Sequence, residues 1–440
     1  MGDGTATIVV TIAVICMSLL RRYKPFREWV AKAAERSLRV IKNKDELYLT
    51  TPELTLHKSR PSASARPFEE YVNALESMKG YLKSSQKITS MVNNRAKELS
   101  RKELSQLKDI GYFSKLDYIT SATIKNSAVI EDIIKCTLKE LALKNHNNVD
   151  LKADLELACN KLGYKLDSEG NISKLNTIKL LSSATSRSNS VTESLNHLCR
   201  DWSDYYKCER DPLTEYITER INSINIKGKD ILIVVPGSGV GNIAYNLSQK
   251  FPEAKVDSIE LSSYMFICNR YALTSSNDIS ISPFALYYSG QTSAKNQTRE
   301  LNVNLSNVSE RENLYPYWAD FRLYPSTLEK KYDYIIVCTA YFIDTAENLF
   351  EYFNSIENLS EHCNKDLHWI NIGPLKYGTR PKVQLTVEEL TKLRKLRNWK
   401  DLHTQTVLDY DEKLNGYLTD YEGLYQGYYG LTKFHTVCRK

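Results

Sequence analysis

Pro236-Gly237-Ser238-Gly239-Val240-Gly241 sets three glycines at alternate positions. They stand between an apolar run, Ile231-Leu232-Ile233-Val234-Val235, and a helical pattern at Ile243, Ala244 and Leu247. The run reads as a buried parallel strand, the glycines as a turn and the rest as a helix. Lacking Cβ, such a turn adopts positive φ and lets a ligand rest on bare backbone, while the helix start offers unpaired N–H groups. A second short strand, Val256 to Ile259, ends at Glu260, about twenty residues on, where a carboxylate can accept both hydroxyls of a ribose. A tight connection without ligand would use the same glycines, but the register of Glu260 favours a nucleoside cofactor. Asn242 stands where a dinucleotide fingerprint needs its last glycine. The G-x-G-x-G spacing therefore points to S-adenosyl-L-methionine, which has a ribose and an amino-acid tail but no pyrophosphate.

Further clusters lie along the chain. Leu198-Cys199-Arg200-Asp201-Trp202-Ser203, followed by Glu209-Arg210-Asp211, precedes the first strand. Arg200 could pair bidentately with the carboxylate of a methionine tail, or the segment could be a helix packed through Trp202 with ordinary surface pairs. Trp318-Ala319-Asp320-Phe321 falls where a third strand should end; Asp320 suits an adenine amino group and Phe321 its ring face, or Asp320 caps a helix. Tyr334 to Ala340 reads as a strand that delivers Tyr341, Phe342 and Asp344 to the carboxyl edge of the sheet, where open α/β sheets bind ligands. Asp344 would hold a polar substrate group or take up a proton, or it merely caps a helix at Thr345. Leu367 to Gly378 is another strand reaching the same edge, and the tail is rich in tyrosine: Tyr417, Tyr421, Tyr425, Tyr428 and Tyr429. Those phenols line a pocket or cover a strand edge.

The 440 residues suffice for a full α/β domain and a second helical region. A net charge of +6 with both signs interspersed gives no support to a nucleic-acid partner. Nine cysteines without a C-x-x-C pair argue against a zinc site or a disulfide framework, so no metal is expected. Residues 1–24 hold an uncharged stretch from Gly4 to Leu20 that runs into Arg21-Arg22-Tyr23-Lys24, just long enough for a membrane-anchor helix. Asp3 before it and the arginines after it oppose a cleaved signal peptide and leave the body in the cytosol. This predicts a single-pass protein on the cytoplasmic face of a membrane, endoplasmic reticulum or mitochondrial outer membrane. Residues 25–66 read as a linker, 67–224 as a helical region with a turn at Asp167 to Asn171, and 225–440 as the α/β domain. The polar stretch from Asp278 to Tyr317 reads as a long insertion. A homodimer is left open.

Taken in order, these clusters resemble the carnosine N-methyltransferase family. The likeness is carried by Arg200-Asp201-Trp202-Ser203 with Glu209-Arg210-Asp211, Val235 to Gly241, Asp320-Phe321, Phe342 to Ala346 with Asn348, and Trp369-Ile370-Asn371-Ile372-Gly373-Pro374-Leu375. It implies a class I (Rossmann-like) methyltransferase fold, α/β and doubly wound, with a helical N-terminal region. It also implies N-methylation of the imidazole of a histidine dipeptide, carnosine to anserine, with S-adenosyl-L-methionine as cofactor and a small-molecule or peptide acceptor. By the resemblance Arg200 contacts the cofactor beside His197, where the family usually has glutamine; Gly237, Gly239, Gly241 and Glu260 form the turn and ribose positions; Asp320 and Phe321 meet adenine. Asp344 holds the substrate and is the catalytic candidate, flanked by Tyr341 and by Tyr428 or Tyr429. Two positions depart from the family pattern. Ala340 replaces a cysteine beside the cofactor, and Gly378 replaces a histidine that contacts the dipeptide. A methyltransferase-like binding protein without turnover, or a different peptide or protein acceptor, therefore stays open.

Overall fold

The computed structural model describes residues 25, 67–144, 149–167, 170–175, 188–378, 380–409 and 413–439. Apart from Pro25, the expected anchor (1–24) and linker (25–66) lie outside the described residues. Among those described, no helix is long and apolar enough to cross a membrane.

Among the described residues, seven helices come first: α1 (Pro67–Lys79), α2 (Tyr81–Ala96), α3 (Arg101–Asp109), α4 (Tyr112–Lys144), α5 (Val149–Leu162), α6 (Ser188–Trp202) and α7 (Lys207–Asn222). Helix α4 buries Ile130, Ile133, Ile134, Leu138 and Leu141, the stripe expected of 3.6-residue spacing. The turn at Asp167 to Asn171 is more than a break between helices. It closes a small antiparallel ribbon in which Tyr164–Leu166 pairs with Ile172–Lys174, so this region is not purely helical.

A seven-stranded sheet follows, from β1 (Ile231–Pro236), β2 (Lys255–Glu260), β3 (Leu314–Trp318), β4 (Tyr334–Ala340), β5 (Asp366–Gly373), β6 (Lys400–Val407) and β7 (Leu431–Arg439). Its order is β6-β7-β5-β4-β1-β2-β3. The first five strands are parallel, while β7 runs antiparallel to both β5 and β6. Helices α8 (Asn242–Lys250), α9 (Ser263–Thr274), α10 (Leu349–Asn358) and α11 (Val387–Leu396) complete the layers.

Every residue of β1 is buried, as a strand covered on both faces requires. Ile231, Ile233 and Val235 join a core that includes Leu195 and Leu198 of α6 and Leu213 and Ile217 of α7. Leu232 and Val234 face the opposite core with Phe353, Ile356 and Leu390. The helical region and the sheet thus share one core, and residues 67–440 fall within a single compact unit. The stretch from Asp278 onward is more ordered than its polarity suggests. It contains the ribbon Ile279–Ile281 with Leu301–Val303, whose Ile281 and Val303 are fully buried, and its end from Leu314 is β3 itself.

Candidate active site

The glycine turn leaves β1 with φ of +62° at Gly237, +57° at Gly239 and +92° at Gly241. A Cβ on Gly237 would strike the Phe342 ring, and one on Gly241 would meet the Asn269 amide. Gly239 differs, because a Cβ there meets nothing within 4 Å. The space beside it is the cleft, and only backbone conformation selects glycine. Its N–H donates to Glu260 Oε2 (2.9 Å), while Oε1 accepts the Ser262 N–H (2.7 Å). Burial raises the Glu260 carboxyl to about 7 against the pull of those two N–H groups. The carboxylate at the end of β2 thus fixes the turn from behind.

The cleft, about 530 Å³ including its open mouth, is lined by residues from three regions. Among them are Gly237, Ser238 and Gly239 of the turn, Arg200 and His197 of α6, and Ala340, Tyr341 and Tyr417. Arg200 is 7% exposed, with Nε 3.3 Å from Glu209 Oε2 and Nη1 3.6 Å from Asp201 Oδ1. Its guanidinium lies 4.6 Å from the Tyr417 ring centre and 5.6 Å from that of Tyr341. These are buried contacts, which corrects the reading of the segment as ordinary surface pairs. Nη2 is buried without a hydrogen-bond partner, as is Ser238 Oγ across the cleft. An unmet guanidinium donor and an unmet hydroxyl over an open glycine backbone fit the carboxylate and amine of a methionine tail. Asp201 Oδ2 lies 3.5 Å from the Asn242 N–H at the start of α8, where the helix dipole favours an anion. His197 is pushed down to about 3, by burial first and then by Arg200, so its ring is neutral. Nε2 of that neutral ring can accept from the Tyr417 hydroxyl, 3.4 Å away.

At the cleft wall, Tyr341 follows β4 at φ +51°, a costly conformation for an aromatic residue and one that clusters at functional sites. It stacks on Tyr417 (4.9 Å between centres), and Tyr429 stands edge-on to both at 6.4 Å. Tyr428, the next residue along a strand, faces Tyr421 and donates to Gln426. Of the two tyrosines considered, Tyr429 is the one at the aromatic wall. Asp344 is buried in a single turn, Ile343–Thr345, and accepts the Lys376 N–H at 2.9 Å. Burial raises its carboxyl, opposed by that N–H. It caps no helix: α10 starts at Leu349 and its cap is Asn348. The capping alternative for Asp344 is therefore excluded.

Some expected residues sit away from the cleft lining. Asp320 is buried but its carboxylate is held by the Arg322 guanidinium and N–H, while Phe321 packs edge-on against Phe342 at 5.9 Å. Asp344 does not line the cleft but is joined to the tyrosine wall through Lys376, and Gly378 is exposed, with nothing within 4 Å of a Cβ. Two residues were not among the predicted site residues. Glu209 is fully buried and accepts from Arg200 Nε, Leu418 N (2.9 Å), Thr419 N (2.9 Å) and Tyr421 OH (3.0 Å). Its signal was spacing: Glu209 stands four, eight and twelve residues before the buried Leu213, Ile217 and Ile221, on the apolar stripe of α7. Tyr417 had no such signal, because a tyrosine-rich tail gives no hint of which ring turns inward.

The sequence profile of the carnosine N-methyltransferase family matches residues 178–440, which include the whole cleft and sheet. The chain belongs to the carnosine N-methyltransferase family. As a member it is an N-methyltransferase that uses S-adenosyl-L-methionine. Uncharacterized protein YMR209C of Saccharomyces cerevisiae is 42% identical over 98% of both chains. The carnosine N-methyltransferase of Schizosaccharomyces pombe is 28% identical over 46% of this chain and 59% of its own. That of Mus musculus is 25% identical over 45% and 50%. The chain thus spans about half the length of the carnosine N-methyltransferases it matches. Among solved structures, N-methyltransferase NodS from Bradyrhizobium japonicum is 10% identical with a TM-score of 0.33, over 57% of this chain and all of that one.

Proposed function

We propose that the chain methylates an imidazole nitrogen of a histidine-containing dipeptide of the carnosine type. The observation that carries this reading is the pairing of two unlike sites at one sheet edge. On one side stands the partnerless Nη2 of Arg200 over the glycine turn, and on the other a buried Asp344 joined through Lys376 to the tyrosine wall. S-adenosyl-L-methionine supplies an electrophilic sulfonium methyl when bound. Arg200 and Ser238 would hold its amino-acid end and Glu260 its ribose. Asp344 would accept the N–H of the acceptor ring, which leaves the other ring nitrogen unprotonated and offsets the positive charge that develops on the ring. Tyr341, Tyr417 and Tyr429 would exclude water and orient the ring, the main source of rate in a displacement whose leaving thioether needs no acid.

Asp344→Asn should leave S-adenosylhomocysteine affinity within about twofold and lower kcat/KM by about 10²- to 10³-fold. Labelled methyl transfer to carnosine and related dipeptides, with calorimetry for the cofactor product, checks both; unimpaired turnover would sink the assignment. Both Asp344 and the acceptor ring must be deprotonated. Because burial raises the Asp344 carboxyl, the acid-side fall in kcat/KM should begin at a higher pH than an ordinary carboxylate would cause, with activity retained on the alkaline side.

The uncharged run from Gly4 to Leu20 with Arg21 and Arg22 after it supports a second proposal, an anchor that holds the enzyme on the cytoplasmic face of a membrane. The full chain should sediment with membranes and resist carbonate extraction, and a chain starting at residue 25 should not. Equal release of both would remove the anchor.

A further inference from the structure

The loop after β5 brings a cation to the acceptor side. Lys376 donates its backbone N–H to Asp344 (2.9 Å) and its ammonium to the Tyr429 hydroxyl (2.5 Å), with Nζ 5.0 Å from the centre of that ring. A lysine side chain normally loses considerable rotamer freedom when it is fixed. Here both ends are already tethered, one to the carboxylate and one to the aromatic wall. An ammonium has three protons, and the Tyr429 hydroxyl uses one of them. Arg200, the other cation at this edge, is matched by Asp201 and Glu209. Lys376 forms no ion pair among the described residues and is exposed to an incoming ligand. Two residues further on, Gly378 is exposed, and a Cβ there would meet nothing within 4 Å. The loop therefore holds a positioned positive charge beside open space.

We propose that Lys376 binds the carboxylate of the methyl acceptor and is the residue that sets the preference among acceptors. The proposal rests on the imidazole reading above and adds the feature by which acceptors are told apart. Asp344 and the tyrosines read the ring; Lys376 reads the charge attached to it. A charge-assisted contact of this kind is worth about tenfold in affinity.

The test compares carnosine with its decarboxylated analogue, β-alanylhistamine, on the full chain by labelled methyl transfer. The unsubstituted protein should show a KM for carnosine about tenfold below that for the analogue. In Lys376→Met the ratio of the two KM values should collapse to near one, and in Lys376→Arg the preference should persist. A ratio that is near one from the start, or that survives in Lys376→Met, overturns the proposal while the imidazole reading stands. Absence of transfer to any imidazole overturns that reading and the proposal together. Because each variant is judged by a ratio within the same protein sample, a partly unfolded preparation does not imitate either result.

Discussion

His197 shows how much a single residue can differ from its setting. A histidine in α6 beside Arg200 is held neutral down to about pH 3, whereas in an unfolded chain it titrates near 6.5. Between those values the unfolded state binds the extra proton, so stability rises with pH and is lost as pH falls from about 6.5 toward 3. At pH 5 this amounts to as much as about 2 kcal/mol. Replacing His197 with glutamine should narrow the gap between urea midpoints at pH 7 and pH 5. An unaltered gap would show that the ring is not the buried neutral group inferred here. Glu260 acts in the opposite sense, since its raised carboxyl lets the folded state hold a proton between about 4.5 and 7, and stability falls as pH rises through that window. At this scale the sequence was a good guide to residue types and a poor one to orientation. Arg200, Tyr341, Gly237 and Gly239 stand in the cleft, whereas Gly241 packs against Asn269 and Asp320 turns to Arg322, whose guanidinium binds both carboxylate oxygens.

At the scale of elements, the joint between α7 and the tyrosine-rich tail holds two walls of the cleft together. Glu209 accepts from Arg200 and from the Leu418 and Thr419 N–H groups that follow Tyr417. Asn415 adds to the joint, donating to the Glu209 carbonyl (3.1 Å) and the Tyr341 hydroxyl (3.0 Å). Glu209→Gln should therefore cost on the order of 3 kcal/mol in stability, because Arg200 stays buried with one partner fewer. It should also weaken S-adenosylhomocysteine and acceptor together, whereas Leu213→Ala on the same stripe should lower stability alone. Paired denaturation and calorimetry on the two variants would separate them, and intact ligand affinity in Glu209→Gln would break the link. The strands and their order along the chain could be read from apolar runs, since strands buried on both faces are continuous in Val, Ile and Leu. The joint could not, because it pairs residues more than 200 positions apart.

For the whole molecule, local chemistry and global arrangement divide cleanly. The sequence by itself determined the glycine turn, the carboxylate about twenty residues beyond it, and the alternation of strand and helix from Asp230 onward, because each depends on neighbours within a few turns of chain. It also supported the family, through several short motifs in a fixed order. Only the tertiary structure decided that β7 inserts antiparallel between β5 and β6, that the helical region shares a core with the sheet, and that Tyr429 rather than Tyr428 meets the site. It likewise decided that Glu209 is a buried junction and that Lys376 is tied to both Asp344 and Tyr429. The physical reason is that burial and partnership are properties of distance in space. A charged residue looks the same in sequence whether water or four donors surround it, and only the folded chain supplies the donors.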